Sequence, residues 1–485
     1  MFRSKSTQAK SLPYLKADRL RPRYHFLPPA NWMNDPNGLI QWKGQYHLFY
    51  QHNPLQAVWG KIHWGHAVSQ DLIYWRHLPL AMKPTPGGPD NDGVWSGCAV
   101  NANGKPVIFY TGVFPEVQCM ATTQDDLRKL VKYPGNPIVP HPPAEMKLAG
   151  FRDPCVWQEG DTWFMLIGSG FEGQGGALLL YSSTDLVHWE YLHPLLTTDR
   201  VDTGGLSLGN MWECPQMFPL GDQHLVHFSA CNPKESYYVV YLTGAYRDKT
   251  FYPQRLLKLD YGNQFFYAPQ SFVDERGRRI MLGWSREDRS QEAQIQAGWA
   301  GVMSLPRLLE SRPDGLTGFR PLDELQVLRE RHSHLENVLI TPASINLLKP
   351  ILSDSFELQA VIEPGTAEEF GLKVCVSPEE KEYTRLTYSP ASGRFTVDTT
   401  HASLDARAPG SVHEIPSLPL DSGLLHLRLF VDRSILEVYL NGWACLTARM
   451  YPTLKTSLGI ELFSKGGNIR VKNLDFWKMK SIQKN

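Results

Sequence analysis

An Asp-Leu turn that recurs at near-equal intervals constrains this chain more than any other feature. Ala67-Val-Ser-Gln-Asp71-Leu72-Ile-Tyr-Trp75 resembles Tyr181-Ser-Ser-Thr-Asp185-Leu186-Val-His-Trp189. Between them stands Met120-Ala-Thr-Thr-Gln-Asp125-Asp-Leu127, which lacks the Trp. The aspartates are 54 and 60 residues apart. One Ser-x-Asp-Leu turn is commonplace; three at this spacing, two ending in Trp, read as a structural repeat. A period of this length suits a four-stranded propeller blade, and roughly 300 residues at that period make about five blades.

The local texture agrees. Ile40 to Tyr50 is two β-like runs around Lys43-Gly44, and Val156 to Ile167 repeats the design around Glu159-Gly160-Asp161. Phe272 to Gly283 does so again, and no long helical periodicity interrupts this half. Leu322 to Glu336 has a helix-like, polar pattern and reads as a linker. Beyond about residue 340 the runs Phe356–Ile362, Leu425–Val431 and Ser434–Leu440 alternate, the last followed by Asn441-Gly442. That is the pattern of an antiparallel sandwich. The expected fold class is therefore all-β: an N-terminal arm (1–24), a five-bladed propeller (25–325), a linker (326–340) and a β-sandwich (341–485).

At 485 residues the chain is too long for one ordinary core, which agrees with two domains. Lys+Arg and Asp+Glu both number 49, and this absence of net charge argues against nucleic acid as a partner, although a neutral total leaves room for a local basic patch. Seven scattered cysteines form neither a zinc pattern nor a secreted disulfide framework. Met1 to Asp18 carries no apolar run and no stretch approaches 18 apolar residues. These features predict no signal peptide, no membrane span, no metal and a cytoplasmic location. They carry no signal for an oligomeric state. The 14 Trp, 20 Tyr and 21 Phe must mostly be core; only those beside carboxylates read as sugar-stacking rings.

Splitting a glycosidic bond takes two carboxyl groups, one to attack or activate water and one to protonate the leaving oxygen. Three acidic residues sit in unusual settings. Asp35 lies in Trp32-Met-Asn-Asp-Pro-Asn-Gly38, where Pro36 restricts it and Asn37-Gly38 turns the chain; alone this reads best as a plain turn, a reading that the neighbouring Trp32 and Asn34 weaken. Asp153 lies in Gly150-Phe-Arg-Asp-Pro154. Arg152 beside it is expected to keep it ionised, suited to holding sugar hydroxyls; a plain surface Arg–Asp pair reads equally well. Glu213 lies in Asn210-Met-Trp-Glu-Cys-Pro215, whose apolar neighbours are expected to raise its pKa, as a general acid requires. An edge glutamate of a strand is the plainer reading of that residue alone.

Taken in order, these motifs resemble glycoside hydrolase family 32, which includes invertases, sucrose-6-phosphate hydrolases, inulinases and levanases. Phe49-Tyr-Gln-His-Asn-Pro54, Trp64-Gly-His-Ala67, Trp95-Ser-Gly97, Phe109-Tyr-Thr-Gly112, Gly301-Val-Met-Ser-Leu-Pro-Arg307, Val431–Val438 and Ala448–Pro452 extend the likeness from about residue 24 to about 478. The resemblance implies a retaining β-fructofuranosidase without cofactor. Asp35 would be the nucleophile, Glu213 the acid/base and Asp153 the transition-state stabiliser, with Arg152 beside it. Asn34, Gln51, Trp59 and Ser96 match fructosyl contacts, and Trp32 and Trp95 match rim or wall aromatics. Trp284 matches less closely, and Gln216 stands where many members carry Asp or Gly. Sucrose is the expected substrate. Sucrose 6-phosphate hydrolysis, fructan exo-hydrolysis and fructosyl transfer stay open. A non-catalytic sugar-binding protein, or a propeller scaffold, would not need Asp35 and Glu213.

Overall fold

The structure is a computed structural model that describes residues 18–232 and 235–483. Five sheets follow one another along the chain, over residues 31–82, 93–132, 148–197, 211–258 and 267–321. Each starts with its innermost strand: Asn31–Trp42, Gly93–Ala102, Leu148–Glu159, Met211–Leu220 and Tyr267–Val273. These inner strands pack side by side in order, and the fifth packs on the first, so the ring closes into a five-bladed β-propeller. A latch completes the closure. Trp299–Ala300, from the fifth blade's segment, pairs in parallel with Asn31 and Trp32 of the first. Gly301 follows at φ +81, where a Cβ would lie 2.1 Å from the Met33 carbonyl; only glycine lets the blades meet this closely.

The repeated turn has a physical basis. In the first and third blades it joins the third and fourth strands, at residues 69–75 and 183–190. Asp71 Oδ1 accepts from the Ile73 and Tyr74 amides, and Asp185 Oδ1 from those of Val187 and His188. The Trp75 and Trp189 indoles donate to Leu72 O and Leu186 O. Leu72, Leu127 and Leu186 all have φ between 64 and 69, so the middle copy turns the same way without its Trp. The three hairpins expected from sequence form with their turns in place.

The remaining strands make a β-sandwich of one six-stranded and one five-stranded sheet over a shared apolar core, with Phe356, Leu358, Phe370, Leu372, Leu429 and Leu462 among its residues. The linker region differs from expectation. Asp323–Leu328 is a short 3-10 helix, but Arg329–Ile340 is a strand on the edge of the six-stranded sheet, paired along its length with Ile469–Met479. Its polar residues are exposed because an edge strand buries little, which is why the segment looks like a solvated linker. The expected loose arm falls mostly outside the described residues. Its last part, 18–24, is fixed: the Arg23 and Tyr24 amides donate to Asp432, and Arg433 donates to Asp18 O and Arg21 O.

The propeller and sandwich are joined by buried charge. Arg307, fully buried, pairs with Asp260 at 2.8 Å and with Glu437 of the sandwich at 3.0 Å. Glu437 also accepts from the Leu305 amide and faces His25. The segments around Arg307 and Glu437 are thus structural, holding one domain against the other.

Candidate active site

Each inner strand carries a register break that falls in a sequence motif, and the first and third strands each break once more. Asn34-Asp35, Ser96, Asp153-Pro154, Cys214-Pro215 and Ala268-Pro269 are the extra residues opposite a shorter partner. A β-bulge bends its strand and re-aims a side chain. Proline suits this position because it has no N–H to give to the ladder. Asp153, Cys214 and Ala268 have φ of 64, 48 and 48, a left-handed conformation that costs about 1–3 kcal/mol in a non-glycine residue. The propeller therefore stores strain where five strands converge, and the ring of bulges points functional groups into the central funnel.

Three carboxylates from three blades meet there. Cys214 Sγ lies 3.7 Å from Asp35 Oδ2 and 3.6 Å from Asp153 Oδ2, and the Cys214 amide donates to Asp153 Oδ2 at 3.0 Å. Asp35 accepts from Ser96 Oγ at 2.5 Å and from Asn34 Nδ2 at 3.1 Å. Asn34 also donates to Gln51, Gln51 to Ser96, and Trp32 Nε1 to Asn34. One network thus fixes the Asp35 carboxylate from both sides. Glu213, with its side chain 22% exposed, accepts from Arg152 Nη2 at 2.8 Å and Nε at 3.1 Å. The Tyr267 hydroxyl donates to its other oxygen at 2.8 Å.

The charge distribution differs from expectation at two of the three acids. Arg152 does not hydrogen-bond Asp153. It reaches to Glu213 on the neighbouring blade and to Glu116 at 2.8 Å. Burial therefore dominates at Asp153; Arg152 lowers its pKa only partly, Glu213 and Asp35 add repulsion, and the carboxyl is pushed up to about 8. Burial also acts on Glu213, but the Arg152 charge, its hydrogen bonds and that of Tyr267 outweigh it and hold Glu213 below its ordinary value. The apolar neighbours in the sequence indicated burial correctly but gave no sign of the arginine. Asp35 is raised to about 6, by burial and by Glu213 against the Ser96 and Asn34 hydrogen bonds.

Aromatic rings line the mouth in a connected row. Trp284 meets Trp32 at 5.7 Å, Trp32 meets Trp59 at 6.3 Å, Trp59 meets Trp95 at 6.0 Å, and Trp95 meets Phe114 at 5.5 Å. Trp32 and Trp284 are buried; Trp59 and Phe114 are 48% and 65% exposed. The Arg152 guanidinium lies over Trp95. A funnel with carboxylates at its floor and exposed rings at its rim fits a polyhydroxylated ligand with apolar C–H faces.

Residues 25–317 match the glycosyl hydrolases family 32 N-terminal domain, and residues 324–478 the C-terminal domain of the same family. The chain belongs to glycosyl hydrolase family 32. It is 36% identical to a sucrose-6-phosphate hydrolase of Escherichia coli, over 89% of each chain. It is 34% identical to a levanase of Bacillus subtilis, over 98% of this chain and 73% of that one. Among solved structures it resembles fructan 1-exohydrolase IIa from Cichorium intybus with a TM-score of 0.84, at 28% identity, over 96% of this chain and 98% of that one. This family 32 chain is therefore a glycoside hydrolase.

All eleven residues expected from sequence lie in or around this funnel, Trp284 included. The funnel also holds residues that no sequence motif had marked. Tyr267, from Tyr267-Ala-Pro269, ends two residues before a proline, as Glu213 does in Glu213-Cys-Pro215. That shared spacing was the available signal. Glu116, which binds both Arg152 and the Phe151 amide, and Phe114 come from the hairpin loop after Phe109-Tyr-Thr-Gly112, where no local pattern marks them. Gln216 ties blade four to blade five: its Oε1 accepts from the Ser271 amide and hydroxyl.

Proposed function

We propose that this glycoside hydrolase is a retaining β-fructofuranosidase acting on sucrose, with Asp35 as nucleophile, Glu213 as acid/base and Asp153 as the group that holds fructose hydroxyls. One observation carries the assignment: three carboxylates from three blades converge around Cys214, each with different partners. Asp35 is poised by Ser96 and Asn34 to attack the anomeric C2. As the C2–O bond to the leaving sugar breaks, Glu213 gives that oxygen its proton and becomes a carboxylate stabilised by Arg152 and Tyr267. Positive charge building on the fructosyl ring is met by Asp35 and Asp153. The product is a fructosyl ester of Asp35. Glu213 then takes a proton from water, which attacks C2, frees fructose with retained configuration and restores Asp35.

The free site holds its proton mainly on Asp153, not on Glu213. Fructose hydroxyls donating to Asp153 favour its ionised form, and the proton passes to Glu213 as the sugar covers it. Asn34, Gln51, Ser96 and Arg152 frame the fructosyl ring, and Trp32, Trp59, Trp95 and Trp284 wall the leaving-group side. The substrate is a small sugar rather than nucleic acid. Seven cysteines without a disulfide fit a reducing compartment, and we place the enzyme in the cytoplasm. Among the described residues no helix is long and apolar enough to cross a membrane.

The deciding experiment incubates the purified chain with sucrose, sucrose 6-phosphate, raffinose, inulin and levan and measures released monosaccharides. Highest kcat/KM on sucrose supports the reading. A preference for sucrose 6-phosphate, as the name of the E. coli relative suggests, would move the substrate but not the chemistry. No fructose from any of them would overturn it.

A further inference from the structure

The outer face of the six-stranded sheet carries a cluster that the hydrolytic reaction does not use. Side chains alternate along a strand, so His332, His334 and Glu336 stand on one face of the edge strand Arg329–Ile340. The register sets His334 opposite Asp475, and His332 opposite Trp477. His332 Nε2 and His334 Nδ1 lie 2.7 and 2.8 Å from the same Asp475 Oδ1. One ligand atom from each residue falls within 4.8 Å of the others.

The surroundings hold these groups in place. The His332 ring stacks on Trp477 at 5.0 Å, with 6° between planes. Arg329 caps Trp477 from 3.7 Å and is itself anchored by the buried Glu357. The second nitrogen of His334 faces Glu336 at 4.0 Å.

We propose that His332, His334 and Asp475 form a surface site for a divalent transition-metal ion of the Zn²⁺ type, with water completing the shell. Two imidazole nitrogens and one carboxylate oxygen are a suitable donor set for such an ion, and three protein ligands plus water complete a four-coordinate shell. Tetrahedral bonds of about 2.0–2.2 Å set donors about 3.3–3.6 Å apart, so the imidazole nitrogens must withdraw from Asp475 by roughly half an ångström or more. The two imidazoles are 49% and 42% exposed, so solvent does not block that movement, and the His332 ring can slide along Trp477 while staying stacked. Glu336, 4.0 Å from the second nitrogen of His334, adds negative charge beside the site. Because the ligands come from two strands, the ion clamps the edge strand to its neighbour, close to where the propeller hands over to the sandwich.

The test uses the full chain, stripped with a chelator and dialysed, then titrated with ZnCl2 by calorimetry at pH 7.5. One dominant site is expected. His334→Ala and Asp475→Asn should each weaken it at least tenfold while leaving the metal-free melting transition in place. Co²⁺ should give a visible absorption band in the unaltered chain and not in His332→Gln. No Zn²⁺ binding by the unaltered chain would overturn the proposal. So would equal binding by the variants, which would reduce the cluster to two imidazoles hydrogen-bonded to an aspartate.

Discussion

Replacing Asp153 by asparagine should stabilise this protein at neutral pH while abolishing its proposed activity. The unfolded carboxyl has an ordinary pKa near 3.8, and the folded one is pushed up to about 8. Between those values the folded chain binds a proton that the unfolded chain does not, so this group's contribution to stability falls as pH rises. At about 1.4 kcal/mol per pH unit, keeping the proton from 3.8 up to pH 7 costs about 4 kcal/mol. At pH 5, closer to the unfolded pKa, the same reasoning leaves less than half of that penalty. The asparagine amide would keep an acceptor for the Cys214 N–H and carry no charge, so the penalty disappears. Scanning calorimetry of both chains at pH 5 and pH 7 reads this directly. A stabilising difference is expected at pH 7, several degrees in melting temperature, shrinking by more than half at pH 5. Equal stabilisation at both pH values, or a loss at pH 7, would refute the view that burial and neighbouring carboxylates load Asp153 with a proton.

The pH profile of kcat/KM on sucrose should be bell-shaped. Its acid limb falls near 6, where Asp35 loses its charge, and its basic limb near 8, where the carboxylate cluster gives up its last proton; a profile still rising at pH 9 would contradict this. Glu213→Ala should lower the sucrose rate by about 10²–10⁴-fold but spare ester formation from an aryl fructoside whose leaving group needs no proton, with azide restoring turnover, whereas Asp35→Ala should form no ester from either substrate. Mass spectrometry of the trapped intermediate separates the two. Tyr267→Phe removes a hydrogen bond that holds Glu213 low, so the kcat profile should shift its basic limb upward, read by initial rates across pH. Arg307→Ala strands Asp260 and Glu437 between the domains and should cost about 3–5 kcal/mol in denaturant unfolding.

What the sequence determined by itself was everything set by local chemistry. The Asp-Leu turns encode the blade period because one aspartate satisfies two amides within three residues of itself. The alternation of Leu425–Val431 encodes a half-buried strand because period two is the geometry of the pleat. Asp153-Pro154 and Cys214-Pro215 mark functional strands because a bulge tolerates the missing amide hydrogen, and in Asp35-Pro36 the proline follows directly on the bulge. Tertiary structure decided which group answers which. Arg152 is adjacent to Asp153 in the chain yet spends its hydrogen bonds on Glu213, 61 residues away, and on Glu116. That choice loads the proton on one acid and removes it from another. Likewise Arg329–Ile340 looks like a polar linker until Ile469–Met479 arrives to pair with it. Propensity and turn chemistry act over a few residues and are written in the local order of side chains. Electrostatic coupling and strand pairing act across space, and only the closed ring and the packed sheets bring those partners within reach.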